Sequence, residues 1–532
     1  MVAPSRSSIA NRACDGCRRR KVKCDSANPC ANCRISQLPC QYTRLQKKRG
    51  PKAPRKESNP VGFVSTVDLP GAQVLHNSIP AEVSQVQASP ALSDGAKELR
   101  EGFDSTQLWR TPTNFGLVPV VEALPSTTCS PASARAIWDG LLVSIGAALP
   151  SMSVMDIANS CIDLYMQYTF PTAPIVHEPT LRRDASIFFS GASSATLFGA
   201  QEEDQRVAHM RAFTLVTALC ASITSVMPES LLPYGYAVAG IFLRASREML
   251  KRYEDYDLEH PNSTSLAIRE LQSTALQHVT GKKGAAFQVV GQATLLALSL
   301  QLYKEDSIIR NDPVESQLLR LTFWHLYFSD KASACLGTRP CLLDESLFDG
   351  ELTLHPCGEP FTSLLDTNKP WYEKPYEEHL LIGYSLITRL WSSAARLILG
   401  IRSFDKGIED KETRITRLTQ EYLHFVGIMD GLPHWLQLSS IMTSPEDGSV
   451  ACFQKKSFWV QRCTLTMTFQ CLRLVVLQQC IDSSRYDIMG LVGQPLTLSM
   501  KKAEIIQDFL QAMDDIPFIY HQIKGEPSVS HN

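Results

Sequence analysis

From about residue 151 to 520, apolar residues return every three or four positions, the spacing of helices that each bury one face. The stretches Ile157–Tyr168, Ala208–Val226, Ala237–Tyr253, Ser265–Thr280 and Ala285–Tyr303 carry the pattern, and so do Glu315–Leu336, Glu377–Leu399, Glu412–Met429, Lys456–Ile481 and Leu498–Met513. Strand-like alternation is scarce. Pro171, Pro174, Pro228, Pro233, Pro340, Pro433 and Pro517 punctuate the pattern, as a residue without an N–H must. The pattern predicts a large all-α domain over 133–520, of ten or more helices, with 521–532 as a tail. Ser133 reads as the N-cap of a short leading helix, with Trp138, Leu141, Leu142 and Ile145 as its apolar stripe. Residues 57–132 are low in charge, rich in Pro, Ser and Ala, and lack long periodic stretches. They read as mostly disordered linker.

Composition changes this picture in one respect. The chain has 532 residues, 44% hydrophobic and 20% charged, with a net charge of −2. Residues 1–56 hold 15 Lys and Arg against two Asp, a net +13, and the remainder is −15. A basic head on an acidic body implies a polyanionic partner for the head, most often nucleic acid. The opening MVAPSRSSIANRA has no apolar run of the kind a secretory leader carries. The stretches that read as most apolar, Ala285–Tyr303 and Cys463–Cys480, are interrupted by Gln288, Gln292, Gln301, Gln470, Arg473, Gln478 and Gln479. They are expected to be buried helices rather than membrane spans. A reducing compartment is therefore expected, where clustered cysteine means metal.

Six of the sixteen cysteines fall in one short cluster: Cys14, Cys17, Cys24, Cys30, Cys33 and Cys40. Their spacing, C-x2-C-x6-C-x5-C-x2-C-x6-C, is an internal repeat with an offset of 16 residues. Structural zinc takes four ligands. Six thiolates fill two tetrahedral sites only if two sulfurs each serve both metals, and the repeat makes that pair equivalent positions in the two halves. The first half carries Arg18, Arg19, Arg20, Lys21 and Lys23 between its second and third cysteine; the second half carries only Arg34 there. A metal store would not need that asymmetry. The first half is expected to face DNA from a short helix over about Asp15–Val22. Arg and Lys donors suit guanine O6 and N7 in the major groove, and others on the same turn would neutralise phosphates.

The stretch ACDGCRRRKVKCDSANPCANCRISQLPCQY, residues 13–42, resembles the fungal Zn2Cys6 binuclear zinc cluster DNA-binding domain. The resemblance implies two zinc ions per chain, with Cys14 and Cys30 bridging them. One ion would take Cys14, Cys17, Cys24 and Cys30; the other would take Cys14, Cys30, Cys33 and Cys40. It also implies that Arg20 and Lys21 read base edges, usually in CGG-type triplets of double-stranded DNA. About 30 residues cannot bury a sufficient core, so zinc is expected to supply the fold of this head.

Residues 1–12 read as disordered, and residues 43–132 as a linker that is basic at first. Its basic part, through Lys56, contains Lys47, Lys48, Arg49, Lys52, Arg55 and Lys56. With Arg18–Lys23 these form a two-part nuclear import signal, so the nucleus is the expected location. Pro51, Pro54, Pro60, Pro70, Pro80 and Pro90 leave no room for a three-heptad coiled coil. One triplet, at ~1–3 kcal/mol per base, cannot select a promoter alone. A homodimer through the helical body, a heterologous partner or further linker contacts must add specificity.

Two stretches of the body resemble the fungal-specific transcription factor domain, also called the middle homology region. They are CIDLYMQYTFPTAPIVHEPTL (161–181) and ESQLLRLTFWHLYFSDKASACLGTRPCLLDE (315–345). In the second, Phe323, Trp324, Tyr327 and Phe328 are expected in the core, and Asp330 and Arg339 are expected to pair or cap near the helix end. His177, His325 and His434 read as core or surface, not metal ligands. The ten other cysteines read as apolar fillers, and Gly281-Lys282-Lys283-Gly284 as a loop between helices. Asn262-Ser263-Thr264 fits a glycosylation acceptor, which a nuclear protein would not use. No G-x-S-x-G, H-E-x-x-H or P-loop is present; no catalytic residue is expected, and the protein is not read as an enzyme. The function expected is a sequence-specific regulator of RNA polymerase II transcription. It is read as a pathway-specific activator of a secondary-metabolite gene cluster, or alternatively as a regulator of carbohydrate-utilisation genes. A ligand-binding or enzymatic helical protein tethered to DNA is the remote alternative, favoured by any polar cluster lining a buried cavity.

Overall fold

The computed structural model describes residues 14, 15, 17, 24, 25, 27, 29–35, 40 and 41, then 131–190, 198–200, 202–348, 361–406, 410–443, 449–491 and 493–524. The chain divides into two units, Met1–Asn114 and Phe115–Asn532. In the first, Asp15 and Cys17 are helical and α1 spans Ala31–Ile35. Among the described residues there is no strand.

All ten predicted stretches in the second unit are helical. Most of the helices that periodicity missed are short. Helix α2 (Pro131–Ala148) leads. It is longer than expected and begins at Pro131, so Ser133 lies inside it rather than capping it. Ile137, Leu141 and Ile145 are its buried stripe; Trp138 is half-buried and donates its indole N–H to the Phe188 carbonyl at 3.1 Å. Helix α3 (Val154–Leu164) is capped by Ser153, whose hydroxyl accepts from the Asp156 N–H, and it runs into a π-turn at Tyr165–Thr169. Then follow α4 (Glu178–Phe189), α5 (Glu203–Val226), α6 (Gly235–Leu250), α7 (Glu254–Glu259) and α8 (Ser263–Thr280). Asn262 forms a capping box with Ser265 at the start of α8. The predicted loop is only two residues, Gly281 and Lys282, because Lys283 and Gly284 already open the next helix; Gly281 has φ +65°, the left-handed C-cap that glycine adopts without strain.

Helices α9 (Lys283–Ser299), α10 (Glu305–Ile308) and α11 (Pro313–Cys335) come next, and Asp312 caps α11 with a Pro at its first position. The rest is α12 (Lys374–Arg402), α13 (Lys411–Gly427), α14 (Leu438–Thr443), α15 (Ser449–Asp482), α16 (Pro495–Asp515) and α17 (Phe518–Gln522). The largest core is built chiefly on α2–α6 and α8, with parts of α12, α15 and α17. A second core joins α12, α13 and α15 through residues such as Leu390, Leu418, Phe425 and Leu472. A third gathers α9, α10 and α11 around Phe323 and Tyr327. Helix α5 is apolar on most sides and central. It is long and apolar enough to cross a membrane, but 78% of its most apolar window is buried inside the body.

Polar groups fix how the helices cross. Buried Asp257 accepts from Arg269 at 2.6 Å and from Arg211 at 2.7 Å, which ties α5, α7 and α8. Gln461 of α15 donates its amide to the carbonyls of Pro171 and Leu380, both at 2.7 Å. Gly383 faces it, where a Cβ would collide with the Gln461 side chain. The expected Asp330–Arg339 pair does not form. The Asp330 carboxylate accepts the N–H groups of Leu342 and Leu343 at 3.0 Å instead. Arg339 lies over the Phe287 ring at 3.6 Å. The C-terminal carbonyls of α11 are capped by Arg402 of α12, which donates to Ala334 at 2.5 Å and Cys335 at 2.7 Å. Of the four aromatics of α11, Phe323 and Tyr327 are buried, with Trp324 and Phe328 packed against them or against the main core.

Glu270 of α8 has a side chain only 8% exposed, and its closest cationic candidate, His325 Nε2, is 3.7 Å away. Burial pushes the Glu270 carboxyl up from 4.5 to about 8 and His325 down to about 4. The folded chain keeps the Glu270 proton that the unfolded chain releases above about pH 4.5, so this residue costs stability increasingly as pH rises toward 8. Glu270→Gln removes that cost. Urea denaturation should show its advantage over the wild type growing from about pH 5 to 8, by at most about 1.4 kcal/mol per pH unit. An advantage that does not change with pH contradicts the assignment.

Candidate metal centre and nucleic-acid interface

The six cysteines of the head come together as the 16-residue repeat requires. Cys14, Cys17, Cys30 and Cys33 are fully buried, and Cys24 and Cys40 partly. Their sulfurs form two groups, one of Cys14, Cys17, Cys24 and Cys30 and one of Cys14, Cys30, Cys33 and Cys40. Within each group the sulfurs lie within 4.8 Å of one another. Cys14 and Cys30 are the members common to both, and their sulfurs are 3.7 Å apart. Cys14 to Cys33 is 3.5 Å and Cys17 to Cys30 is 3.4 Å. A tetrahedron with zinc–sulfur bonds of about 2.3 Å places its sulfurs about 3.8 Å apart. The donor set therefore fits two four-coordinate ions that share an edge.

The backbone repeats the same symmetry. The Cys17 N–H donates to Cys14 Sγ at 3.3 Å, and the Cys33 N–H to Cys30 Sγ at 3.4 Å. The Cys14 N–H donates to Cys24 Sγ at 3.5 Å, and the Cys30 N–H to Cys40 Sγ at 3.3 Å. Each C-x2-C turn thus aims an amide at the shared sulfur and another at the last cysteine of its own half. The two halves also close on each other. The Asp15 N–H donates to the Gln41 carbonyl at 2.8 Å, and the Ala31 N–H to Asp25 Oδ2 at 2.9 Å. Gln41 and Asp25 are equivalent by the repeat, one using its backbone and the other its side chain. Nothing in the cysteine spacing signals this pair. The bond from the Ala31 N–H holds the Asp25 carboxyl below its usual range.

The N–H of Cys17 draws the Cys14 thiol down to about 6, and the N–H of Cys33 lowers Cys30. Burial pushes Cys17 up to about 12. Crowded thiols resist ionising together, and bound dications supply the charge that makes all six thiolates. Full ionisation against two zinc ions leaves a net −2.

The DNA-contact candidates Arg18, Arg19, Arg20, Lys21 and Lys23, and the import candidates Lys47, Lys48, Arg49, Lys52, Arg55 and Lys56, lie outside the described residues. Of the histidines, His177 precedes α4 with its ring Nδ1 2.8 Å from Thr180 Oγ1, and His434 stands edge-on to Trp435. His325 is buried beside Glu270. Asn262 of the acceptor-like triplet is engaged as the α8 cap. Among the other cysteines that are described, Cys161, Cys220, Cys335, Cys463 and Cys480 are buried free thiols.

Residues 12–49 match the profile of the fungal Zn(2)-Cys(6) binuclear cluster domain, and residues 162–422 that of the fungal specific transcription factor domain. The maltose fermentation regulatory protein of Saccharomyces cerevisiae is 44% identical over 54 residues, 10% of this chain and 11% of that protein. The xylanolytic transcriptional activator of Emericella nidulans is 51% identical over 55 residues, 10% of this chain and 6% of that protein. A C6 finger domain transcription factor of Pestalotiopsis fici is 31% identical over 170 residues, 31% of this chain and 23% of that protein. The matched regions thus span less than a quarter of each relative. No solved structure is significantly similar. The Zn2Cys6 cluster domain binds two zinc ions, and the cysteine sulfurs are grouped as such ions would need.

Cys14 belongs to both four-sulfur groups and Cys40 to one, so Cys14→Ser should weaken both sites, whereas Cys40→Ser should leave one four-thiolate site intact. Native mass spectrometry is expected to find two zinc ions in the wild type, about one in Cys40→Ser and fewer in Cys14→Ser. Equal metal loss in the two variants would contradict a shared Cys14.

Proposed function

We infer that this chain, which belongs to the fungal Zn2Cys6 transcription factors, regulates a dedicated set of genes by reading CGG-type sites in double-stranded DNA. The observation that carries the inference is the pair of four-sulfur groups sharing Cys14 and Cys30. It supports a rigid platform from which the turn after Cys17 presents its basic run. Arg20 and Lys21 would read guanine edges, while Arg18, Arg19 and Lys23 would hold phosphates. The basic run from Lys47 to Lys56 would track the backbone and, together with Arg18–Lys23, carry the protein into the nucleus.

The regulated pathway has two readings. Sequence pattern alone suggests a secondary-metabolite gene cluster. Two of the relatives are a maltose fermentation regulatory protein and a xylanolytic transcriptional activator, and they favour carbohydrate use. Both similarities rest mainly on the head. We place carbohydrate utilisation first and the secondary-metabolite cluster second, with activation as the default direction because the body is acidic.

A triplet read at ~1–3 kcal/mol per base leaves too little discrimination for one head. Helix α16 supplies a candidate surface for a second copy. Its buried residues are Ile505 and Ala512. Leu496, Met500, Ile506, Leu510 and Met513, on other faces, are exposed, Leu496 by 71% and Leu510 by 56%. Residues 496, 500, 503, 506, 510 and 513 follow the spacing of a helix–helix seam. The proposed occupant of that seam is α16 of another chain, because two identical heads double the site that is read.

Gel shifts on paired CGG half-sites test the reading. Arg20→Ala/Lys21→Ala should lose about 2–6 kcal/mol of discrimination against mutated triplets. Leu510→Glu should bind single half-sites normally but lose the paired complex. If the double variant retains full CGG preference, the base-reading assignment fails. If Leu510→Glu forms the paired complex as wild type does, the α16 seam fails.

A further inference from the structure

A partly open cavity of about 430 Å³ indents the helical body, walled by α5, α8, α11, α12 and α15, by the π-turn and the turn after it, and by Ile523 and Lys524. Ligand sites commonly fall in this size range and sit between helices. Its lining mixes two kinds of surface. Phe328 and Trp391 offer flat apolar faces, and Thr169, Ser222, Thr274 and Thr468 are among its hydroxyl groups.

Glu270 and His325 line the same space. Glu270 Oε1 and His325 Nδ1 are buried and have no hydrogen-bonding partner in the described protein. Their other atoms, Glu270 Oε2 and His325 Nε2, are 3.7 Å apart, too far for a hydrogen bond. The Glu270 side chain is more than nine-tenths buried. Oε1 and Nδ1 are sealed off inside the protein, so Oε2 and Nε2, unbonded to each other and carried by residues that line the cavity, are the atoms a polar guest would meet.

The charge state narrows the guest. Burial holds Glu270 protonated near neutral pH and His325 uncharged. The pair then presents hydrogen-bond donors and acceptors without net charge. Lys524 also borders the cavity and donates to Thr172 Oγ1 at 3.1 Å, so a cation there would meet a like charge. A hydroxyl group both donates and accepts, and the C–H face of a sugar-like ring packs on an aromatic. We propose that this cavity binds a small uncharged polyhydroxylated molecule, of the size of a hexose or a cyclitol, gripped by Glu270 and His325. The proposal does not depend on which genes are regulated.

The test uses the zinc-loaded full chain and five probes: D-glucose, D-xylose and myo-inositol, with D-glucuronate and D-glucosamine as charged counterparts. Saturation-transfer NMR and thermal shift at about 10 mM probe read binding directly, without DNA or transcription. At least one neutral probe should bind and raise the melting temperature, and it should do so more than either charged one. Glu270→Gln keeps a donor and an acceptor and should bind within about threefold of wild type. Glu270→Leu should lose binding at least about tenfold while far-UV circular dichroism stays unchanged. The proposal is overturned if no neutral probe binds, if glucuronate or glucosamine binds better than all three, or if a folded Glu270→Leu binds as the wild type does.

Discussion

Two tetrahedral metal sites need eight donor positions, and the head supplies six sulfurs. Sharing Cys14 and Cys30 meets the need, and most of what is described of the head follows from that sharing. Each C-x2-C turn must bring its first sulfur to the common edge, and the amides of Cys17 and Cys33 are aimed at those two sulfurs. The third cysteine of each half must fold back, and it accepts the amide of the first. The chain then crosses to the other half, where Asp25 and Gln41 receive the first helical N–H groups. A segment this short has no apolar core to speak of. Its described interior is sulfur, so metal affinity and folding free energy are one quantity.

The helical body obeys different physics. Its three cores bury aliphatic and aromatic side chains, and its crossings are fixed by a few buried polar ties such as Asp257–Arg269 and Gln461. Glu270 and His325 differ from those ties: both line the cavity, and their facing atoms, 3.7 Å apart, make no hydrogen bond to each other. The proposed guest would bond to Glu270 and His325 and touch five helices at once.

Much of this was legible in the sequence. The cysteine spacing carries the ligand sets, because the offset of 16 residues is a symmetry operation visible in one dimension. Helical periodicity carries the long segments of 151–520 other than α4, since a face buried in a core must repeat every turn. Short helices such as α7, α10 and α17 escape, because one turn gives no period. Asp330 and Arg339 were a natural pair by proximity in sequence. In the fold, the loop after α11 turns its own N–H groups onto Asp330, and Arg402, from the next long helix, takes the carbonyls. The cavity was illegible for the same reason. Its walls run from Tyr168 to Lys524, and no local pattern relates Glu270 to Trp391 or Thr468.

The central claim is that two zinc ions share two thiolates, and X-ray absorption at the zinc edge of the full chain tests it most directly. The account predicts a first shell of four sulfurs per zinc, with no nitrogen or oxygen, together with a zinc–zinc scattering feature. A first shell containing nitrogen or oxygen, or four sulfurs with no metal–metal feature, would contradict it.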